Sequence, residues 1–246
     1  MDDETDIGRL TFEDAWRHAE GVEGWLTRAQ GEALFHAAQA VPMGRWIVEI
    51  GSHCGRSTVV LAAAKASEVT LLAVDPFDDP RWGGGSKALD EFERTLRSAD
   101  LLDEVKAFRG RSLEAANARI ARPVGLLFVD GAHDRASVLT DIDAWRQHLH
   151  DRATLFFHDA YSSPGVTIAL FERYVGAARA QYLGSVGSLA RFDMGALSLR
   201  ERLVSTARMV GRLPWFARNL TVKVALRRGW STVHRVLGHP GGEYPY

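Results

Sequence analysis

Cysteine is almost absent, with Cys54 the one residue of its kind among 246. An internal disulfide and a multi-cysteine zinc site are therefore excluded, and a reducing compartment fits. Long apolar runs are missing as well, so no stretch approaches the roughly 18 residues that a membrane-spanning helix needs. The chain has no overall excess of one charge. Its formal net charge is −1, which speaks against nucleic acid as a partner. The opening residues Met1 to Asp6 are acidic and lack an apolar stretch, so no secretory signal is expected. A cytoplasmic protein is the expectation from these absences.

What is present is a core. Apolar residues make up 46% of the chain, which suits one α/β domain with appended segments. Helices are expected within Leu10 to Ala40. Short apolar runs then alternate with helical patterns. Strands are expected at Trp46 to Ile50, Val69 to Val74, Val105 to Phe108, Val124 to Val129 and Ala153 to Phe157, with two more at Gln181 to Val186 and Leu189 to Asp193. Helices are expected at Ser57 to Lys65, Ala88 to Ala99, Leu113 to Ile120, Ser137 to Leu149 and Val166 to Val175. Alternation of this kind gives a Rossmann-like, mostly parallel seven-stranded sheet with helices on both faces. Three segments are expected: a helical 1–40, a ligand-binding 41–195 and a basic helical 196–246.

Ligands of open parallel sheets bind beyond the carboxyl ends of the strands. Polar residues recur at those ends here. The first tip reads Glu49-Ile50-Gly51-Ser52-His53-Cys54-Gly55-Arg56-Ser57-Thr58. Two glycines let the backbone pass close to a ligand and turn into a helix N-terminus. Their spacing is not that of the dinucleotide fingerprint G-x-G-x-x-G, which argues against a nicotinamide-dependent oxidoreductase. Asp75, at the next strand end, lies 24 residues after Gly51, about where an acid holds ribose hydroxyls in Rossmann-like sites. Cys54 reads as small filler and His53 as a backbone neighbour of the turn. Asp78, Asp79, Arg81 and Trp82 read as either a lid or a solvated loop.

The stretches IVEIGSHCGRSTVVLA, AVDPF, FRGRSLEA, LFVDGAHDRASVLTDIDAW and LFFHDA together resemble a bacterial family of class I methyltransferases, methyltransferase domain 24, from about Gly24 to Asp193. The resemblance implies S-adenosylmethionine (SAM) as cofactor. Its cofactor-binding residues would be Glu49, Gly51, Ser52, Gly55, Ser57, Asp75, Ser112 at the adenine edge, and Asp130. Where the family often has a tyrosine two residues after the histidine of D-G-x-H, this chain has Arg135.

Asp130, His158 and Asp159 sit at two adjacent strand tips. The layout resembles that of catechol-type and sugar O-methyltransferases, which hold a divalent cation there. Asp130, His158 and Asp159 would then ligate Mg²⁺ or Mn²⁺, and the ion would acidify a substrate hydroxyl. The other reading is hydrogen bonding without metal. His133 is one turn from Asp130 and suits a general base, or it hydrogen-bonds the following helix, with Asp141 as partner. His158 is the competing base. His133, Asp130 and His158 are thus the catalytic candidates.

From Arg200 onward there are nine Lys or Arg against two acids, Glu201 and Glu243. Tryptophans interleave with the basic residues. Such a segment fits an amphipathic helix on an anionic membrane, a homodimer interface or a cap packed on the domain. The resulting expectation is a SAM-dependent O-methyltransferase acting on a hydroxyl of a sugar, glycolipid or related small metabolite. It is cytoplasmic, with contact at the inner membrane face through the tail, and homodimeric. The alternative is a non-catalytic SAM- or nucleotide-binding partner subunit.

Overall fold

The computed structural model describes residues 10–77, 87–118 and 122–239. The helices are α1 (Phe12–Ala19), α2 (Arg28–Gln39), α3 (Arg56–Ala64), α4 (Ala88–Ser98), α5 (Ser112–Asn117), α6 (Arg135–Trp145), α7 (Pro164–Tyr174), α8 (Leu199–Val210), α9 (Leu213–Arg228) and α10 (Ser231–Val236). The strands are β1 (Trp46–Ile50), β2 (Thr70–Asp75), β3 (Val105–Arg109), β4 (Val124–Val129), β5 (Leu149–Phe157), β6 (Ala180–Val186) and β7 (Leu189–Met194). They form one seven-stranded sheet in the order β3-β2-β1-β4-β5-β7-β6. β1, β2 and β3 pair in parallel, while β7 runs antiparallel between β5 and β6. This is the mostly parallel Rossmann-like sheet expected from the alternation. The chain divides into two compact units, Met1–Leu127 and Phe128–Tyr246.

In the first unit, β1 is apolar and buried from Ile47 onward, and α3 is buried from Ser57 through Ala64. A helix that is apolar all round must be covered on both sides. Helices α1 and α2 supply cover by packing on α3. Each opens with a capping box, at Thr11 with Asp14 and at Thr27 with Gln30, which satisfies helix-start amides that water would otherwise have to reach. A Cβ on Gly31 would lie 2.8 Å from the Trp16 ring, so glycine permits the close approach of α1 and α2. Arg56 fastens the connection between them, donating to Val22 O at 2.9 Å and Gly24 O at 3.2 Å. Helices α1 and α2 thus pack on α3 within this unit.

In the second unit, α6 is capped by Asp134, which accepts from Ser137 N–H. The helix ends at the fully buried Trp145 and is followed by a 3-10 turn, Arg146–His148. β5 begins at Leu149, four residues earlier than its apolar run suggests, so His150 lies in the strand. The extra residues are partly exposed, and an exposed strand extension carries no apolar signature.

The basic segment is folded onto its own unit. α8 packs on β6, and Ser205 Oγ accepts from Tyr182 N–H at 2.9 Å. α9 turns Asn219, Val222 and Ala225 inward. The Asn219 side chain is fully buried and donates to Tyr161 O at 3.1 Å, while its own oxygen accepts from Arg218 Nη1 at 2.9 Å. Removing this amide leaves a buried carbonyl without its donor. Asn219→Ala is expected to lower stability by about 1–3 kcal/mol, read as a lower urea midpoint with an unchanged slope. An unchanged midpoint would mean that α9 is not held by this bond.

Candidate active site

The first strand tip is a sharp turn. Gly51 and Gly55 have φ of 89° and 90°, and His53 between them has φ of 45°. L-side chains avoid this region, so the two glycines set where the backbone can double back. Gly55 is the N-cap of α3. Beneath the turn, Glu49 is fully buried and accepts from Ser57 Oγ and Thr58 Oγ1, both at 2.5 Å. Glu49 and Ser57 therefore shape the turn from below. Ser52 is 2% exposed, and its hydroxyl has no hydrogen-bond partner among the described residues. A buried polar atom left over in a backbone cradle is what a polar ligand would complete.

Asp75 ends β2. Its two oxygens accept from His53 N–H at 2.8 Å and Phe77 N–H at 2.7 Å. Two backbone amides thus fix the carboxylate beside the glycine turn, and each oxygen keeps a second lone pair for another donor. Ser112 opens α5 and is half-buried, just after Gly110, whose N–H donates to Asp75 O at 3.1 Å. Cys54 is 5% exposed, and burial, helped by Glu23, Glu91 and Asp75, pushes its thiol up to about 11. A thiol so hard to ionise is filler. Trp25 stands 52% exposed with its ring 6.0 Å from that of His53. The expected lid residues Asp78, Asp79, Arg81 and Trp82 lie outside the described residues.

The second cluster lies in the other unit. His158 N–H donates to Val129 O at 3.0 Å, which brings the β5 tip beside the β4 tip. Asp130, His133, His158 and Asp159 meet there. His158 Nδ1 is 3.1 Å from Asp130 Oδ1, and His133 Nδ1 is 3.2 Å from Asp159 Oδ2. His133 Nε2 stands farther off, 3.8 Å from Asp130 Oδ1. The partner of His133 is therefore Asp159, with Asp130 nearby, and not Asp141. The side chains of His158 and Asp159 are almost fully buried, whereas that of His133 is 45% exposed. Asp159 has φ of 57°, a strained conformation for a residue with a side chain.

Charges in this cluster hold one another. Burial alone would raise the Asp130 carboxyl, but His158 and His133 outweigh it and bring it down to about 2. Burial alone would lower both imidazoles. Asp130 and Asp159 outweigh it and raise His133 and His158 above the ordinary histidine value.

The expectation that Asp130, His158 and Asp159 ligate Mg²⁺ or Mn²⁺ does not match this arrangement. Among the described residues no group of three or more His, Cys, Asp or Glu is placed to hold a metal ion. At 3.1 Å, His158 Nδ1 and a carboxylate oxygen share a proton, and an ion would need that nitrogen's lone pair. One oxygen, Asp159 Oδ1, is buried without a hydrogen-bond partner. A single such oxygen suits a donor hydroxyl or water better than a cation that needs several ligands.

Two further residues hold His133. Ser163 Oγ donates to His133 O at 3.2 Å, and α7 begins at Pro164. A Cβ on Gly165 would lie 2.2 Å from His133 O, so only glycine lets α7 approach this backbone. The Ser-Pro-Gly string was the available signal, a helix start with glycine in its first turn. Arg135, which stands where the family often has tyrosine, forks onto Glu172 at 2.6 and 2.7 Å and ties α6 to α7.

A Rossmann-like sheet ending in an antiparallel β6-β7 pair, with a glycine turn at its first tip and an acid at its second, is the fold of class I SAM-dependent methyltransferases. The O-methyltransferase TomG from Streptomyces achromogenes, solved in complex with SAM, is 18% identical with a TM-score of 0.58. The match covers 80% of this chain and 92% of that one. The O-methyltransferase from Bacillus cereus, solved with the demethylated product S-adenosylhomocysteine (SAH), is 20% identical with a TM-score of 0.57, covering 79% and 94%. CalS11, a TDP-rhamnose 3′-O-methyltransferase of calicheamicin biosynthesis, is 18% identical with a TM-score of 0.51, covering 68% and 81%. Residues 48–160 match the family model described as a methyltransferase domain, methyltransferase family 24.

The cradle fits SAM: a glycine turn, an unsatisfied buried hydroxyl and an oriented carboxylate. Asp75→Ala is expected to weaken SAH binding about tenfold to a hundredfold, because a charged hydrogen-bond acceptor is lost. Calorimetric titration of the folded variant checks this. Unchanged affinity would remove Asp75 from the cofactor site.

Proposed function

We propose that this protein is a SAM-dependent O-methyltransferase whose acceptor is a hydroxyl of a sugar, glycolipid or related small metabolite. Residues of the first unit, Gly51, Ser52, Gly55, Asp75 and Ser112, would hold SAM. Bound SAM supplies a methyl group on a sulfonium, which an oxygen attacks in line. The observation that carries the reading is the Asp159–His133 contact at 3.2 Å, on a histidine still 45% exposed. Asp159 accepts from Nδ1–H and so fixes the tautomer, leaving the Nε2 lone pair as the proton acceptor. His133 then takes the acceptor's hydroxyl proton as its oxygen attacks. His158, 2% exposed, is too deep to touch an acceptor and serves to hold Asp130. An oxygen acceptor is favoured because it needs a base, which an amine already bearing a lone pair does not.

A homodimer belongs to the same reading. Its support is β6, which lies at the end of the sheet and leaves Leu183 and Val186 exposed, an apolar surface that a second copy would cover. Light scattering on the purified chain checks it.

The test is a turnover screen with labelled SAM against sugar, phenol and glycolipid acceptors. SAH binding without any turnover would favour the non-catalytic partner subunit. With an active acceptor, kcat/KM should rise with pH, because the neutral imidazole is the base. Asp130 and Asp159 raise its pKa, so the midpoint should lie above the ordinary value of about 6.5. Asp159→Asn should move that midpoint down and lower the plateau about tenfold or more. A profile flat from pH 6 to 9 would overturn the assignment of His133. Activity is expected to survive excess chelator. If chelator abolished it and Mg²⁺ or Mn²⁺ restored it, Asp130, His158 and Asp159 would have to regroup around an ion.

A further inference from the structure

Helix α8 is turned the wrong way round for a surface helix. Its inner face is held by hydrogen bonds: Arg202 donates to Gly176 O at 2.8 Å, Thr206 Oγ1 accepts from Gly176 N–H at 2.9 Å, and Ser205 Oγ accepts from Tyr182 N–H at 2.9 Å. Met209 is the large apolar side chain that it buries. Its aliphatic residues face outward: Leu199 is 68% exposed, Leu203 62%, Val210 46% and Val204 39%. With about 3.6 residues per turn, Leu199, Leu203 and Val210 fall in one stripe, with Ala207 beside it and Val204 farther round the helix. A helix packed only to cover its own domain would place such a stripe inward.

The charges on this helix are mostly of one sign. Arg200 and Arg208 are exposed on α8. The one acid of the helix, Glu201, is exposed and accepts from Ser198 N–H and Oγ at 2.8 and 2.7 Å, which places its charge at the helix start. Downstream, α9 has no acid at all and exposes Arg227, Arg228 and Val224.

We propose that the outer face of α8 is a docking surface for an anionic lipid bilayer, with the leucine stripe entering the headgroup layer and the arginines on lipid phosphates. Exposed aliphatic residues flanked by arginines and almost free of acids match that surface in both chemistries. A second copy is the poorer fit. A two-fold contact sets a patch against itself, which would bring the arginines of this face against their own counterparts. The surface lies wholly within the second unit and does not rest on the methyl-transfer reading.

The experiment is flotation of the full chain with vesicles of phosphatidylcholine alone or with 30% phosphatidylglycerol, at low and at high salt; the lipid fraction is about 30% to give a surface potential in the physiological range. The chain should float with the anionic vesicles only, and less at high salt, because screening shortens the reach of the arginines. Arg200→Gln with Arg208→Gln should weaken binding about twenty-fivefold, roughly fivefold for each charge. Leu199→Ser with Leu203→Ser should abolish flotation. In both variants SAH titration and circular dichroism report that the chain is folded, and a wild-type chain that fails to bind SAH affects only the proposed function. Failure of the wild-type chain to float at low salt overturns the proposal. So does flotation that both double variants retain, or a dimer by light scattering that the leucine variant alone breaks apart.

Discussion

A carboxylate with no exposure to water sits under the first strand tip, and the cofactor side of the protein depends on it. Glu49 accepts two short hydrogen bonds from the first turn of α3, from Ser57 and Thr58. A buried charge is costly unless its lone pairs are taken up, so these hydroxyls must face β1. That ties the start of α3 to the end of β1 and leaves the five residues between them to form a tight loop. Such a loop closes only with backbone in the left-handed region, which Gly51 and Gly55 supply. The glycine turn therefore follows from a buried electrostatic pairing as much as from the glycines.

The same device recurs at the second tip with other partners. Asp75 takes two backbone amides, one from each flanking loop. At the tip of β5 the strained residue is not glycine. Asp159 and Tyr161 both have positive φ, and the strain is offset by Ser162 and Ser163 N–H donating to Asp159 O at 3.1 and 2.8 Å. Tyr161 is fully buried, with its carbonyl taken by Asn219. The C-terminal helices thus help hold the segment that places Asp159 against His133. This couples the basic segment to the acid–imidazole cluster through backbone geometry.

Much of this was legible in the residues. β4 falls on the expected Val124–Val129, because six consecutive apolar residues closed by Asp-Gly admit little else. The glycine turn and Asp75 were legible because their spacing is a property of the chain, independent of packing. The partner of His133 was not. Asp141 lies at a helical distance in sequence, but Asp159 comes from another strand, and contacts of that kind depend on register. The metal reading finds no support in the fold for a related reason. Three potential ligands at neighbouring tips can be counted in a sequence, whereas which lone pairs are already occupied can be seen only in the fold. The outward leucines of α8 look like an ordinary amphipathic pattern, since periodicity shows that a helix has an apolar face and not which way it is turned.

Two carboxylates and two imidazoles in one cluster could serve either a cation or a proton, and occupancy of the nitrogens separates the two. A cation needs unprotonated imidazole nitrogens directed at a common point. Here Nδ1 of each histidine is directed at a different carboxylate, His158 at Asp130 and His133 at Asp159. Each pair is stronger with its proton than without it, which is why both imidazoles move up and Asp130 moves down. Burial then sorts the two pairs. The His158–Asp130 pair is closed off at its histidine, so its proton has nowhere to go and its role is positional. The His133–Asp159 pair is closed off at its carboxylate and open at its histidine, and only in that order can the network exchange a proton with a molecule arriving from outside.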